Sequence, residues 1–248
     1  YANKYLAEFN VGYNGSENFA PGRRFGTFPA GSIGWIASEE KFWKPISKVV
    51  SFFKLRASWG LVGNDKTTDA IRFMYLADPY ITGSYGLITN CLTSPFTDTY
   101  GYLFGNGQPG EKSGIDGIAG AYESAKNNPD ISWEKAFKQD YGFDINFFDD
   151  KIRATFDYYR EHRTDILVRD YTVPSTIGFT MPYTNAGETK SWGWEVSLSY
   201  NDKIGKDFRF WSKLNLSYNQ NEIIEMKETP QKNEYMYARG HRIGARSM

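Results

Sequence analysis

Apolar and polar residues alternate along much of this chain, and this alternation restricts the possible fold more than any other feature of the sequence. Between Trp192 and Tyr200, large apolar residues occupy every second position, and Gly, Glu or Ser stands between them. A repeat of two is typical of a β-strand with one apolar and one polar face. Comparable alternation predicts seven strands, at residues 5–13, 28–37, 53–61, 137–147, 152–159, 192–200 and 208–219.

The composition agrees with an all-β chain and argues against several functional classes. Aromatic residues make up 17% of the 248 residues and there are 24 glycines, a combination that favours strands and turns. The 29 basic and 29 acidic residues cancel, so nothing indicates a nucleic-acid partner. One cysteine, Cys91, and two histidines give little material for disulfides or metal chemistry. We therefore expect no metal site, no cofactor and no enzymatic activity.

The connections between the predicted strands fall into two groups. Those after the fourth and sixth strands are short, at residues 149–151 and 201–206, and the one after the second strand is moderate, at about 38–51. Those after the first, third and fifth strands are long. If successive strands are antiparallel neighbours, all long connections lie at one end of the sheet, as in outer-membrane barrels with short periplasmic turns and long external loops. The predicted external loops are residues 14–27, 63–130 and 168–184.

The alternation alone is compatible with a soluble sandwich or with a membrane barrel. A sandwich turns its charged strand faces to water and buries its aromatic faces, whereas a barrel turns its aromatic faces to lipid. The chain has no apolar run of about 18 residues, but a transmembrane β-strand needs only about 9–11 residues. Tyr and Trp near the predicted strand ends resemble an interfacial girdle, which favours the barrel. Because seven strands cannot enclose so charged a lumen, we expect a section of a larger barrel.

Several segments match a known family in order along the chain. They are FPAGSIGW (residues 28–35), SEEKF (38–42), KLRASWGLVGN (54–64), NPDISWE (128–134), DYY (157–159), DIL (165–167), NAG (185–187) and GWE (193–195). As a set, these segments resemble the SusC/RagA-type TonB-dependent transporters. The resemblance implies a barrel of 22 strands with an N-terminal plug, driven by TonB and paired with a SusD-like surface lipoprotein. It also implies import of a glycan or a peptide across the bacterial outer membrane.

From this resemblance we expect residues 1–248 to be part of an outer-membrane β-barrel domain whose strands contact lipid. The plug, the segment that contacts TonB and the C-terminal strands are expected to be absent from this chain. Two alternatives remain open. One is a soluble β-sandwich that binds carbohydrate, and the other is a passive porin.

The longest predicted loop, residues 63–130, is rich in tyrosine. Loops of this length usually have a function, and a tyrosine ring offers a flat apolar surface and a hydroxyl group to a sugar or peptide. The alternative is that these aromatic residues only pack the loop against itself. The candidate contacts to ligand or lipoprotein are Tyr75, Tyr80, Tyr85, Tyr100, Tyr102 and Tyr122.

Overall fold

The fold consists of seven long strands and several short elements. The computed structural model describes residues 1–66, 73, 75–76, 81–82, 103–104, 118–119, 121–122, 128–173, 181–205 and 207–245. The strands are β1 (Tyr5–Gly15), β2 (Phe25–Ile36), β3 (Val50–Asn64), β4 (Ile81–Thr82), β5 (Leu103–Phe104), β6 (Ile118–Ala119), β7 (Ala121–Tyr122), β8 (Glu134–Phe147), β9 (Ile152–Arg169), β10 (Tyr183–Ile204) and β11 (Phe208–Glu225). Short 3-10 helices span Ala37–Glu39, Lys41–Trp43 and Glu234–Met236.

The long strands form a single antiparallel sheet in chain order, β1-β2-β3-β8-β9-β10-β11. All seven predicted strands are confirmed in type and order, although most are longer than predicted. β10 has 22 residues, whereas its clear alternation covers only residues 192–200. Beyond that stretch the strand continues to pair, but apolar and polar residues no longer alternate in the sequence, so the pattern does not mark it.

One detail of the sequence prediction is wrong at the end of the sheet with short connections. We expected residues 201–206 to form a turn, but β10 continues as far as Ile204, with Asp202 opposite Phe210 and Ile204 opposite Phe208. The turn is therefore limited to residues 205–207, where Gly205 supplies a positive φ of 70°. Within β11, Trp211 and Ser212 are exceptions to the alternation of residue types, but the register is continuous: Ser212 lies opposite Tyr200 on the apolar face, and Trp211 lies on the polar face.

Successive connections alternate between the two ends of the sheet, and the longest of them, residues 65–133, lies at the end opposite the two tightest turns. Residues 37–49, 148–151 and 205–207 connect strands at one end, which we call the short-turn end. Residues 16–24, 65–133 and 170–182 connect strands at the other, the long-loop end. The β8–β9 turn is tight because Phe148, Asp149 and Asp150 all adopt positive φ.

The sandwich alternative does not fit this architecture. All seven long strands belong to one sheet, and in the described part of the chain no second long-stranded sheet covers the apolar face. Side chains on that face remain exposed, among them Phe9 (73%), Leu198 (40%) and Leu214 (52%). The described residues include no helix that is long and apolar enough to cross a membrane.

Among the described residues, the buried side chains form a small core at the long-loop end, apart from Ala37 (2% exposed) at the short-turn end. Phe19 and Ile131 are completely or almost completely inaccessible, at 0% and 1%. They come from two connections rather than from strands, so the connections themselves fold together. In the described part of the chain this core consists of Phe19, Phe28, Ile131, Trp133 and Leu167, with Leu61 and Tyr183 packed against it.

Candidate functional site

The polar face of the sheet is defined by residues that lie directly opposite one another in neighbouring strands. Arg56 of β3 is opposite Gly142 of β8, and Gly142 is opposite Asp157 of β9. Asp157 is in turn opposite Glu195 of β10. Because side chains alternate between the two faces of a strand, this row and the rows two residues away share one face. That face carries most of the charged strand residues, including Glu8, Lys54, Asp144, Arg153 and Lys213.

Arg56 is the centre of a charged cluster on the polar face. Its Nη2 atom lies 2.6 Å from Asp157 Oδ1, and its Nε atom lies 3.4 Å from Asp144 Oδ2. Asp140 Oδ1 is 4.0 Å from Arg56 Nη1. One guanidinium against three carboxylates leaves a formal charge of −2, and Thr155 donates a hydrogen bond of 3.0 Å to Asp144. The cluster is half-buried and strongly polar, which suits the wall of a water-filled passage.

Glycines on the polar face make room for the long side chains of neighbouring strands. A Cβ atom at Gly142 would lie 2.2 Å from Asp157 Oδ1 and 3.1 Å from Arg56 Cζ. Gly142 therefore allows Arg56 to reach across one strand to Asp157. Gly193 does the same for Tyr159, whose hydroxyl would lie 2.5 Å from a Cβ at that position. Both side chains consequently lie flat along the polar face.

A shallow depression occupies the part of the polar face next to the Arg56 cluster. Polar side chains from six strands line it, including Glu8, Asn10, Ser58, Lys138 and Tyr159. Lys138 is paired with Glu161 at 3.2 Å. The depression is open to one side, so on this section of wall it offers a polar surface rather than an enclosed pocket.

The opposite face is apolar over a limited height. Tyr141, Tyr158, Trp194 and Tyr218 lie in one row across four strands, and the rings of Trp194 and Tyr218 are stacked 6.1 Å apart. Two residues nearer the long-loop end, the row changes character and consists of Trp59, Gln139, Arg160 and Trp192. This change from apolar to mixed residues marks one edge of the apolar band.

The NPDISWE segment (residues 128–134) organises the core at the long-loop end. Trp133 packs against Phe19 and Phe28 with ring centroids 5.3 and 5.2 Å apart. Its indole Nε1–H donates to the carbonyl oxygen of Arg24 at 3.1 Å. Glu134 accepts hydrogen bonds from the Leu167 amide at 3.0 Å and from Asn64 Nδ2 at 2.7 Å. The segment thus joins the β1–β2 connection to the ends of β3 and β9.

Asparagine side chains attach β10 to the same segment. Asn185 accepts a hydrogen bond of 2.8 Å from the Ser132 amide and donates one of 2.8 Å to the Ser132 carbonyl. Its Nδ2 atom also donates to the Asp165 carbonyl at 2.7 Å. Asn128 Nδ2 donates to the Tyr183 carbonyl at 2.8 Å. We call this core and its polar attachments the loop hub.

Only part of the predicted contact set can be located. Tyr75 lies beside the loop hub, where its hydroxyl accepts a hydrogen bond of 3.2 Å from Arg24 Nη2. Tyr122 belongs to β7, whose backbone pairs with β4 so that Tyr122 lies opposite Ile81. Tyr80, Tyr85, Tyr100 and Tyr102 lie outside the described residues.

Sequence reasoning missed the Arg56 cluster and the loop hub. Both consist of residues that are distant in the chain, such as Arg56 and Asp157 or Ser132 and Asn185. One local signal was available for the cluster, because Gly142 and Gly193 interrupt strands at polar positions. A glycine there indicates that another side chain lies across the strand.

Comparison with known proteins relates the chain to one family. A family model described as TonB dependent receptor-like, beta-barrel, matches residues 65–245. The TonB-dependent receptor P39 of Formosa agariphila is 29% identical over 228 residues, which cover 92% of this chain and 19% of that protein. The TonB-dependent receptor SusC of Bacteroides thetaiotaomicron is 30% identical over 226 residues, covering 90% of this chain and 20% of SusC. The chain therefore spans about a fifth of the length of these curated relatives.

Solved structures show the same fold. A chain of the RagAB peptide transporter superposes with a TM-score of 0.65 and 23% identity, over 90% of this chain and 21% of that chain. A chain of the RagAB peptide importer in its closed-closed state gives a TM-score of 0.64 and 22% identity. The seven-stranded sheet thus has the arrangement found in one part of a larger chain.

Proposed function

Because this chain belongs to the family of TonB-dependent receptor-like β-barrels, we propose that it forms part of the wall of a barrel that imports a glycan or a peptide. Family membership confirms the predicted SusC/RagA resemblance, the antiparallel barrel section and the location in the bacterial outer membrane. The family consists of receptors that act in transport. Activity, substrate and partners are properties of a whole transporter, and the relatives are about five times as long as this chain.

The polar face lines the lumen in this proposal, and the apolar face contacts lipid. The observation that carries the proposal is the separation of the two faces: the Arg56 cluster lies on one, and the row from Tyr141 to Tyr218 lies on the other. The clear alternation in β10 covers residues 192–200, nine positions, and a tilted strand needs about 9–11 residues to cross the bilayer. In hydrocarbon, three carboxylates around one guanidinium would be strongly unfavourable.

The long-loop end is the external end in this proposal. Barrels of this kind have short periplasmic turns and long external loops. Here the longest connection, residues 65–133, lies at the long-loop end, and the two tightest turns, after β8 and β10, lie at the other. The loop hub supports the assignment because it gives those connections a rigid base, held by Trp133 and Asn185. A rigid platform on the outer surface is a suitable dock for a SusD-like lipoprotein. Coupling to TonB is assigned to segments beyond this chain.

The tyrosine-rich connection between β3 and β8 is proposed to contact the substrate or the lipoprotein. Tyr75 is the best-placed of the six candidates, because it lies beside the loop hub and is anchored by Arg24. Its hydroxyl accepts a hydrogen bond from Arg24, and its ring meets that of Phe73 edge-on at 6.4 Å; tyrosine is a side chain suited to contact with a sugar ring or an apolar peptide side chain. The other five tyrosines remain sequence-based candidates.

A deletion in this connection tests the proposal with little risk to the sheet. β4 and β7 are antiparallel, with Thr82 opposite Ala121. Removing residues 84–119 from the full-length protein therefore joins Gly83 to Gly120 as a two-residue Gly-Gly hairpin, a favoured short turn. The deletion removes Tyr85, Tyr100 and Tyr102 and keeps β4 and β7.

We expect the deletion strain to assemble a heat-stable barrel but to take up its substrate poorly or to bind less lipoprotein. Growth on single glycans or peptides as the sole nutrient identifies the substrate class, because a strain that lacks the whole gene fails to grow on the substrate. Normal growth and normal lipoprotein capture by the shortened protein would remove this connection from the proposed contact surface. A passive porin, the second candidate, predicts uptake that persists after the proton-motive force is collapsed.

A further inference from the structure

The β2–β3 connection, residues 37–49, folds back against the apolar face instead of extending away from the sheet. The ring of Trp43 stacks on Phe53 with centroids 5.3 Å apart and planes inclined by 6°. Its Nε1–H donates to the carbonyl oxygen of Val50 at 3.0 Å. The ring of Phe42 lies 6.4 Å from that of Trp35. Trp35 and Phe53 belong to the apolar face, so the connection lies on the lipid side of the sheet.

An aromatic row continues from this connection across the next strands. Phe53 lies 6.2 Å from Phe143, and Phe143 is stacked on Phe156 at 5.4 Å. Phe156 lies opposite Val196, so this row runs from the short-turn end towards the middle of the apolar stretch. Trp43 and Trp35 stand at its outer end, and tryptophan is enriched at the boundary between hydrocarbon and headgroups. The β2–β3 connection is therefore at headgroup level at the short-turn end.

The connection also presents apolar side chains that contact nothing extensive in the sheet. Phe42, Ile46 and Val49 are 61%, 46% and 50% exposed. They occur at intervals of three or four residues in a short segment, as in amphipathic segments that lie in the membrane interface. Their exposure is explained if they enter the outer part of the hydrocarbon layer.

Three lysines alternate with these apolar residues. Lys41, Lys44 and Lys48 are all exposed, and none forms an ion pair with a described residue. Glu40 does not neutralise them, because its carboxylate is held by Lys4 Nζ at 2.9 Å and by the Tyr5 hydroxyl at 2.8 Å. Together with Lys4, the segment has four lysines and two glutamates, Glu39 and Glu40, so its local formal charge is +2.

We propose that residues 37–49 form an interfacial site for the phosphate groups of anionic phospholipids in the inner leaflet of the outer membrane. The apolar side chains insert beside the acyl chains, and the three lysines extend along them to the phosphates. The proposal rests on the assignment of the short-turn end to the periplasmic side. Charge complementarity and continuity with the aromatic row select lipid as the occupant.

Lipid binding by the full-length protein tests this site directly. The probes are phosphatidylglycerol and phosphatidylcholine with identical acyl chains, offered to the detergent-solubilised protein and counted by native mass spectrometry. We compare the wild type with the triple variant Lys41→Gln/Lys44→Gln/Lys48→Gln. The control is Lys203→Gln/Lys213→Gln/Lys232→Gln, which removes three other exposed lysines. An arginine triple variant at 41, 44 and 48 keeps the charge, and compact migration of the unboiled barrel on a gel verifies folding.

The wild type should prefer phosphatidylglycerol, and the glutamine triple variant should lose about tenfold of that preference. The control and the arginine variant should retain it, and soluble glycerol phosphate should not compete. Equal preference in the wild type and the glutamine triple variant would overturn the site. A stronger preference for lipid A would also overturn the site, because it would place this end in the outer leaflet. The same holds if removing the lysines abolishes binding of a periplasmic protein but leaves lipid binding unchanged. Nutrient uptake is measured separately, so a lipid-selective protein that imports nothing would overturn only the transport proposal.

Discussion

Asn185 holds Ser132 from 53 residues away through a reciprocal pair of hydrogen bonds, both 2.8 Å long. The asparagine amide thereby completes the backbone bonding of Ser132 in the way a neighbouring strand would. Because Ser132 precedes Trp133, this pair fixes the depth at which the indole enters the loop hub. Two of the segments that carry the family resemblance are thus in direct contact.

Replacing Asn185 with alanine should loosen the loop hub without preventing barrel assembly. Three hydrogen bonds are lost, two to Ser132 and one to the Asp165 carbonyl, at an expected cost of about 1–3 kcal/mol. In the full-length protein, the β3–β8 connection should be cleaved faster by an added protease. Asn201→Ala, at the short-turn end, is the control. Unchanged cleavage in Asn185→Ala would show that Trp133 packing alone holds the connection.

The two glycines Gly142 and Gly12 should respond differently to substitution by alanine. A Cβ at Gly142 meets Asp157 Oδ1 at 2.2 Å and the Phe156 carbonyl oxygen at 2.9 Å, whereas a Cβ at Gly12 meets nothing closer than 3.7 Å. Gly142→Ala should therefore displace Asp157 from Arg56 and lower barrel stability by about 1–3 kcal/mol. The temperature at which the unboiled barrel unfolds on a gel measures this. Equal effects of both substitutions would refute the close packing of Arg56 over Gly142.

Acid should weaken the attachment of Glu40 at the short-turn end. Hydrogen bonds from Lys4 and the Tyr5 hydroxyl lower the pKa of Glu40 below its ordinary value of 4.5, and the same pairing raises the pKa of Lys4 above 10.5. A lowered carboxyl pKa contributes stability above pH 4.5 that is lost as the pH falls through the lowered value. For Lys4, the contribution is complete below pH 10.5 and is lost as the pH rises through the raised value.

The stability difference between the wild type and Glu40→Gln should therefore be constant near neutral pH and shrink as the pH falls from 5 to 3. Thermal unfolding of the full-length barrel at each pH measures this difference. Glu39→Gln serves as the control, because Glu39 is exposed and forms no ion pair with a described residue. A difference that stays constant down to pH 3 would mean that Glu40 contributes nothing through its charge.

Arginine should be tolerated on one face of β10 and not on the other. Val196 is opposite Phe156 and Leu216 at the middle of the apolar stretch, while Ser197 is opposite Thr155 and Asn215. Arginine at a lipid-facing position near the midplane costs about 2–4 kcal/mol. Val196→Arg should lower the yield of folded barrel in the membrane. Ser197→Arg should assemble normally, and a comparable loss in both variants would contradict the separation of the faces.

The sequence predicted the strands and their order because the alternation records which face of each strand avoids water. It did so between Trp192 and Tyr200, where one face is apolar. It failed towards Tyr183, where β10 packs against the loop hub, and towards Ile204, where the residues no longer alternate between apolar and polar. The contacts of Arg56 with Asp157 and of Asn185 with Ser132 depend on the register between strands, to which local hydrophobicity gives no guide. The positions of Gly142 and Gly193 were visible, but the side chains that cross them were not.

The most direct test of the central claim is the chemical accessibility of successive positions in β10. The native cysteines of the full-length protein, Cys91 among them, are first replaced. Single cysteines are then introduced at residues 194–199, and each variant is treated in native membranes with a charged, water-soluble maleimide. The account predicts labelling at 195, 197 and 199 and protection at 194, 196 and 198. Equal labelling at all six positions, or the reverse alternation, would contradict a barrel wall with a wet polar face and a lipid-facing apolar face.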